Sequence, residues 1–241
     1  MHELTRAIRE RNYAVFAVGF ACSGFGLQMM TTVILWDLWL TTHDALVLGL
    51  AGLARALPVV ALALVAGHTA DKYSRKMILA ITQFGFVAIA IAFSAASFYG
   101  ASVWTWYVLL ALSGCVRSFN GPSRNSLMPL LVKPETFENA VAWNSGIFQA
   151  CAVLGPIVAG AILAIGVPTW GVLLFSAGLI LASSFFVLQL KPREAVRTAG
   201  AMTLQSMFAG MSHIYKERTI FATLTLDLFG VLLGGATALL P

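Results

Sequence analysis

The chain has 241 residues, of which 59% are hydrophobic and only 10% are charged. A soluble domain is roughly 45–50% apolar and about 25% charged, so this composition excludes a water-soluble globule. The apolar excess must face a second solvent, the lipid bilayer. The net charge of +5 comes from basic residues that alternate with apolar stretches and form no continuous patch. That arrangement argues against a nucleic-acid partner.

Seven apolar stretches approach the ~20 residues that a helix needs to cross the hydrocarbon core. They predict an all-α membrane protein, because unpaired backbone cannot face lipid. The predicted spans are Tyr13–Asp37, Leu46–His68, Met77–Phe98, Val103–Gly121, Ala140–Ile165, Trp170–Leu190 and Ile220–Leu240.

The positions of lysine and arginine predict the orientation of these spans. The loops near His43, Gly100 and Pro168 contain no basic residue. By the positive-inside rule, the amino terminus and the loops on the opposite side are cytoplasmic. The basic residues on that side are Arg6, Arg9, Arg11, Lys72, Arg75, Lys76, Arg124, Lys133, Lys191, Arg193, Arg197, Lys216 and Arg218.

The segment after the sixth span differs in composition from the short loops. Its apolar residues recur at helical spacing between Leu204 and Tyr215, which predicts an amphipathic helix. That helix either lies on the inner membrane surface or packs against the bundle. We therefore expect three parts: a six-helix domain over residues 1–190, a cytoplasmic linker over 191–218, and the first helix of a second bundle over 219–241.

A basic turn joins spans two and three and reads Gly67-His-Thr-Ala-Asp71-Lys72-Tyr-Ser-Arg75-Lys76. It resembles the signature loop of the major facilitator superfamily, G-x-x-x-D-R/K-x-G-R/K-R/K, although Ser74 replaces a glycine. We expect the small residue to let two helices approach, the acid to cap and pair, and the basic residues to hold the turn in the cytoplasm. The matching positions are Gly67, Asp71, Lys72, Arg75 and Lys76.

The end of span four carries a second motif, Arg117-Ser-Phe-Asn120-Gly121. It is similar to the R-x-x-Q-G motif of the same family, with asparagine in place of glutamine. The resemblance implies a role in proton coupling or gating for Arg117, Asn120 and Gly121. A structural pairing between Arg117 and the loop residue Asp71 is the alternative.

Span five carries a third motif, Gly155-Pro156-Ile-Val-Ala159-Gly160. It resembles the G-P-x-x-G-G motif of exporters in the superfamily, with Ala159 in place of the first closing glycine. A lone Gly-Pro pair in a membrane helix is usually a tolerated kink. Three motifs in the family's order on spans two to five are far less expected by accident.

Further segments are similar to the bacterial branch that contains the enterobactin exporter and related secretion effectors. This narrower resemblance rests on short runs in spans two and seven and after span four. The segments are Arg55–Pro58, Gly121–Pro129 and Asp227–Gly235.

Ionised side chains inside a span cost about 2.5–3.5 kcal/mol each on insertion scales, so each needs a partner or a cavity. Arg55, near the middle of span two, is either a binding or gating charge of a cavity or the partner of Asp37. Asp37 either lines that cavity or is wetted at the interface. Asp227 in span seven either titrates during coupling, since burial raises a carboxyl pKa, or hydrogen-bonds to other helices.

The resemblance implies a secondary active transporter, not an enzyme, in the inner membrane of a bacterium. The expected activity is proton-coupled export of a small amphipathic molecule of the siderophore or drug type by alternating access. The cavity is expected between two halves, lined by spans one, two, four, five and seven. A proton-coupled nutrient importer of the same fold and a non-transporting scaffold or receptor are the alternatives.

The expected partners are a small-molecule substrate, protons, the lipid bilayer and a second half of the same protein. The family runs to about twelve spans built from repeats, so we expect the 241 residues to belong to a longer protein. No cofactor and no metal are expected, since the four histidines are scattered and no nucleotide-binding motif is present.

Overall fold

The computed structural model describes residues 6–193. The predicted linker helix, the seventh span and Asp227 lie outside these residues. The described part is built from helices, with no strand in it, which confirms the predicted all-α class. Its six long helices are α1 (Arg11–Thr42), α2 (Ala45–Lys72), α3 (Arg75–Phe98), α4 (Val103–Leu127), α5 (Phe137–Ala164) and α6 (Thr169–Gln189).

Five of these helices are long and apolar enough to cross a membrane. The exception is α4, whose 25 residues suffice in length but include several polar side chains in its second half. A helix that lines a polar cavity on one face does not need to be apolar all round. The composition of α4 therefore already indicates which helix borders such a cavity.

The predicted end of span four at Gly121 is wrong by six residues. The helix continues through Pro122 to Leu127, and the next backbone amide, that of Met128, still donates to the carbonyl of Arg124. A proline removes only one hydrogen bond of the helical ladder, and membrane helices tolerate that loss. Arg124, which the sequence analysis assigned to a loop, is consequently a residue of α4.

The packing of the six helices repeats after three helices. Helices α1, α2 and α3 correspond to α4, α5 and α6. The interface between α1 and α6 thus corresponds to that between α4 and α3, and the interface between α2 and α4 corresponds to that between α5 and α1. The remaining large interface, between α3 and α6, relates equivalent helices of the two triplets. Because each triplet has an odd number of membrane crossings, the second runs in the opposite direction to the first. The two triplets therefore form an inverted repeat, an arrangement that is also found in many transporter folds.

Glycines allow the closest helix crossings in the bundle. A Cβ atom at Gly114 of α4 would collide with the backbone carbonyl oxygen of Arg55 in α2. A Cβ atom at Gly26 of α1 would lie 2.9 Å from the carbonyl oxygen of Ser176 in α6. Small residues at such crossings let two backbones approach, which is a main source of packing energy between membrane helices.

Candidate functional site

A cavity of about 480 Å³ lies between α1, α2, α4 and α5. This volume is within the range of small-molecule sites, roughly 300–1,000 Å³. These are the four described helices that the sequence analysis expected around a cavity, and α3 adds the side chain of Phe86. The lining residues are Phe20, Ser23, Gly24, Leu27, Gln28, Gly52, Arg55, Ala56, Val59, Val60, Phe86, Arg117, Asn120, Gly121, Arg124, Phe148 and Cys151.

One face of α4 forms the polar wall of this cavity. Arg117, Asn120, Gly121 and Arg124 all line it, and their spacing of three, four and seven residues places them on a single side of a helix. A Cβ atom at Gly121 would meet no atom of the described chain within 4 Å, so the wall is open at this point. The sequence analysis missed Arg124, although its seven-residue spacing from Arg117 is the signal that would have found it.

Arg55 is held at the cavity by helix α1. Its Nη1 atom donates a hydrogen bond to Oγ1 of Thr31 at 3.0 Å. Asp37 lies six residues further along α1, a rise of about 9 Å, and it forms no ion pair with Arg55 in the described structure. Arg55 is therefore a cavity residue, and Asp37 does not line the cavity within residues 6–193.

Arg117 presents an exposed side chain to the same cavity. Neither a hydrogen bond nor an ion pair joins it to Asp71 in the part of the chain that the structure describes. The structural pairing that the sequence left open is thus not formed here, and the guanidinium of Arg117 is available to whatever enters the cavity.

Arg124 is partly buried at the cavity and lies against helix α1. Its guanidinium carbon lies 4.5 Å from the ring centroid of Phe20 in α1, a cation–π contact. Its Nε atom is buried and has no hydrogen-bond partner among residues 6–193. A buried N–H without an acceptor is costly, so this donor needs an oxygen from another source.

We call Arg55, Arg117 and Arg124 the arginine triad. None of the described residues that line the cavity is acidic. The cavity wall therefore carries three positive charges with no counter-charge from the lining.

Asn120 links the cavity wall to the neighbouring helix. Its Nδ2 atom donates to Oγ1 of Thr82 in α3 at 2.9 Å, and both side chains are buried. The hydroxyl of Thr82 in turn donates to the carbonyl of Leu79. Asn120 thus joins the cavity-lining face of α4 to α3 through a buried hydrogen bond.

The third motif brings α5 against α1. A Cβ atom at Gly155 would lie 2.7 Å from the Cβ atom of Gln28, so this position admits only glycine without a shift. Pro156 lies inside the helix, and Ala159 is fully buried. Gly160 faces open space, with no described atom within 4 Å of a Cβ atom there. The close approach thus occurs at the first glycine of the motif only.

The basic turn between α2 and α3 ties two other helices to its own end of the bundle. Lys76 donates from Nζ to the carbonyl oxygens of Leu188 and Leu190, both at 2.7 Å. These carbonyls belong to the end of α6, where a cation is stabilising because of the unpaired acceptors and the helix dipole. Arg75 donates from Nη1 to the carbonyl of Ser126 at the end of α4.

Two expectations for this turn are not met. A Cβ atom at Gly67 would meet no described atom within 4 Å, so this glycine does not mediate a helix crossing in residues 6–193. Asp71 is exposed inside α2, and the cap position of α3 is Ser74, so the acid does not cap. Lys72 lies 5.8 Å from the ring of Tyr73 and remains on the surface.

The described residues offer no cluster of three His, Cys, Asp or Glu side chains that could hold a metal ion. The cavity between the membrane helices is instead lined by arginine, amide and aromatic side chains together with apolar ones.

Comparison with known proteins agrees with this architecture. The family model of the Major Facilitator Superfamily matches residues 16–241. The staphyloferrin A transporter of Staphylococcus aureus is 31% identical over 132 residues, which are 54% of this chain and 33% of that protein. The MFS-type transporter YfiS of Bacillus subtilis is 28% identical over 73% of this chain and 41% of its own length.

Macrolide efflux protein A of Streptococcus pyogenes is 22% identical over 88% of this chain and 53% of its own length. The chain thus spans between one third and about half of the length of the curated relatives it matches. The family match covers nearly all of the sequence and includes the three motifs. The chain belongs to the Major Facilitator Superfamily.

Proposed function

We propose that the protein is a secondary active transporter that exports a small amphipathic molecule, of the siderophore or drug type, in exchange for protons. The observation that carries this proposal is the cavity between α1, α2, α4 and α5, which combines apolar walls with the arginine triad. A non-transporting scaffold has no use for three charges whose insertion is costly. A site that binds a substrate and then releases it has such a use.

The inverted repeat supports alternating access as the mechanism. Two triplets of opposite direction can exchange conformations, which opens a shared site first to one side of the membrane and then to the other. The helices around the cavity come from both triplets, namely α1 and α2 from the first and α4 and α5 from the second. In our proposal a second half of the protein closes the remaining side of the site.

Export is favoured over import by two observations. The Gly155-Pro156 motif resembles the exporter motif, and Gly155 has the close contact with Gln28 that gives such a motif a structural purpose. The name of one relative points the same way, since macrolide efflux protein A is named for efflux. We propose the bacterial inner membrane as the location, with the amino terminus in the cytoplasm.

Proton coupling is proposed to run through Arg117 and Asp227. Arg117 faces the cavity without an acidic partner in the described residues, and Asp227, which lies outside them, is an acid that the sequence analysis assigned to span seven. A carboxylate that binds a proton in one conformation and releases it in the other links proton movement to substrate movement.

The test is an exchange measurement in inverted membrane vesicles that contain the protein as its gene encodes it. Respiration acidifies the vesicle lumen, and a panel of siderophores and drugs is added while quinacrine fluorescence reports the pH difference. We expect at least one compound to dissipate the gradient and to accumulate in the lumen. Replacement of Asp227 by Asn should abolish the pH signal while substrate exchange between the two sides continues.

The matched control is Asp44→Asn. Asp44 is an exposed residue that caps α2 by accepting from the amide of Leu46 at 2.8 Å, and asparagine caps equally well. This variant should behave as the wild type. Substrate that leaves the lumen together with protons would establish import instead, and a protein that moves no compound in either direction would favour the scaffold.

A further inference from the structure

We propose that the arginine triad selects substrates that are organic anions with two or more oxyanion groups, such as carboxylates. The inference rests on the proposed transport function and names the substrate class of the same cavity. It follows from the charge balance of the site, from the way each arginine is held, and from the residues between them.

The charge balance favours an anion over any other ligand. Arg55, Arg117 and Arg124 place three positive charges on one cavity whose described lining contains no aspartate or glutamate. Bringing a cation into this cavity adds repulsion, and a neutral molecule leaves the three charges uncompensated. A ligand with two or more negative groups avoids the repulsion and compensates the positive charges.

The three guanidinium groups are held in different ways and leave donors for a ligand. Arg55 uses one N–H on Thr31 and keeps the others. The guanidinium carbon of Arg124 lies 4.5 Å from the ring centroid of Phe20, and its buried Nε–H has no acceptor in residues 6–193. A guanidinium edge binds a carboxylate through two parallel hydrogen bonds, so an oxyanion is the kind of ligand that suits the donors of these arginines.

The three arginines of the triad come from two different helices. Arg55 belongs to α2, whereas Arg117 and Arg124 lie two turns apart on α4, about 10 Å along its axis. A single small anion cannot reach both ends of that separation, but an organic molecule with oxyanion groups at two ends can. The apolar residues Val59 and Phe148 in the same wall suit the carbon skeleton between them.

The electrostatic part of the proposal is tested with a cysteine placed in the cavity. Ala56 lines the cavity and is exposed, so Ala56→Cys is introduced into a variant without Cys22, Cys115 and Cys151. The purified protein reacts either with the anionic reagent sulfonatoethyl methanethiosulfonate or with the cationic reagent trimethylammonioethyl methanethiosulfonate. The ratio of the two rates is compared with the ratio for Thr41→Cys, an exposed site near a loop without basic residues.

We expect the ratio of anionic to cationic rates to be at least about tenfold higher at Ala56→Cys than at Thr41→Cys, and to shrink as salt is raised. Adding Arg117→Gln or Arg124→Gln should lower it several-fold, whereas Arg117→Lys should preserve it because the charge remains. Lys133→Gln removes an exposed charge outside the cavity and should change nothing. Equal ratios at both cysteines would overturn the proposal. If the Gln variants do not fold, the salt dependence of the ratio in the protein with all three arginines provides the test.

The binding part uses named anions. Citrate and pyrophosphate should slow the labelling of Ala56→Cys by a neutral maleimide, and the uncharged ester triethyl citrate should not. Protection by citrate alone assigns carboxylates, and protection by pyrophosphate alone assigns phosphates. Protection by triethyl citrate equal to that by citrate would contradict the selection of anions. Arg117→Lys should weaken the protection, since a lysine cannot form the paired hydrogen bonds.

The two proposals fail separately. If vesicles exchange a neutral or cationic drug for protons while the rate ratio is flat, the transporter stands and the anionic substrate class falls. If the ratio is high and citrate protects, yet no compound moves with protons, the substrate class stands and proton-coupled export falls.

Discussion

Arg55 in α2 donates a hydrogen bond of 3.0 Å to the hydroxyl of Thr31 in α1, and this contact sets the position of a charged group inside the cavity. The carbonyl of the same arginine residue lies at the crossing of α2 with Gly114 of α4. Arg55 therefore stands where three helices that line or support the site come together, so its surroundings can be tested by substitutions that do not remove the charge itself.

The first prediction concerns Thr31 as the residue that positions Arg55. Thr31→Val keeps the shape and removes the acceptor, so we expect the transport rate to fall about tenfold, which corresponds to roughly 1.4 kcal/mol. Thr31→Ser keeps the acceptor and should retain the wild-type rate. Transport is measured as gradient-driven substrate flux in vesicles at equal protein amounts. Identical rates for the Val and Ser variants would show that the hydrogen bond does not matter.

The second prediction concerns the crossing of α2 and α4. Gly114→Ala places a methyl group against the backbone of Arg55, which cannot move without displacing α2. We expect destabilisation of about 1–3 kcal/mol, seen as a lower thermal midpoint in detergent. Gly121→Ala on the same helix meets open space and should be neutral or slightly stabilising, because alanine is the better helix former. Equal midpoints for the two variants would contradict the crossing.

The third prediction separates the two glycines of the exporter-like motif. Gly155→Leu should insert into the membrane at a normal level but lose export or become leaky, because its side chain would push α1 away at Gln28. Gly160→Leu on the same helix, with no described neighbour, should transport normally. Flux and membrane abundance are measured together. Normal export by the Gly155 variant would mean that the motif match is incidental.

The fourth prediction concerns Lys76 as the cap of α6. Lys76→Met leaves the carbonyls of Leu188 and Leu190 without their donor, and we expect a loss of about 1–2 kcal/mol in stability. Lys72→Met removes the same charge from the same turn, but Lys72 is exposed and donates no hydrogen bond to α6 in the described structure; its ammonium group lies 5.8 Å from the ring of Tyr73. The thermal midpoint should fall for the first variant alone. A similar fall for both would assign the effect to charge and not to the cap.

The fifth prediction is the orientation in the membrane, which rests on the distribution of basic residues. In a background without native cysteines, Thr41→Cys should react with an impermeant thiol reagent in intact cells and Ser74→Cys should not. Thr41 serves better than His43 two positions further on, whose φ of 50° would strain a substituted residue. After the cells are opened, both sites should react. Labelling of Ser74→Cys in intact cells would invert the topology.

Much of the fold could be predicted from the sequence because the bilayer leaves few choices. Apolar stretches of sufficient length must become helices, and the six described ones overlap the first six predicted spans. The end of α4 could not be placed, since Pro122 marks a helix end in water and only a single lost hydrogen bond in a membrane helix. Because this boundary was misplaced, Arg124 was assigned to a loop and was not recognised as a cavity residue.

The candidate site could be predicted from the sequence only in part, and the reason is different. Intramembrane cost singles out Arg55 and Arg117 as residues that need a cavity or a partner. This cost does not identify the residue that serves as the partner. The choice between Thr31 and Asp37 for Arg55 depends on helix rotation and on a rise of about 9 Å, and neither is encoded in composition. The open surroundings of Gly67 could not be predicted either, because they depend on how whole helices are arranged.

The central claim is that the cavity beside the arginine triad is the path of the substrate, and Ala56 tests it most directly. In a cysteine-free background, Ala56→Cys is modified with a bulky biotin maleimide, and gradient-driven flux is measured before and after modification. Leu64→Cys, an exposed residue of the same helix that does not line the cavity, is the control. We predict that modification at position 56 stops transport and that modification at position 64 does not. Undiminished flux through a protein fully labelled at position 56 would contradict the account.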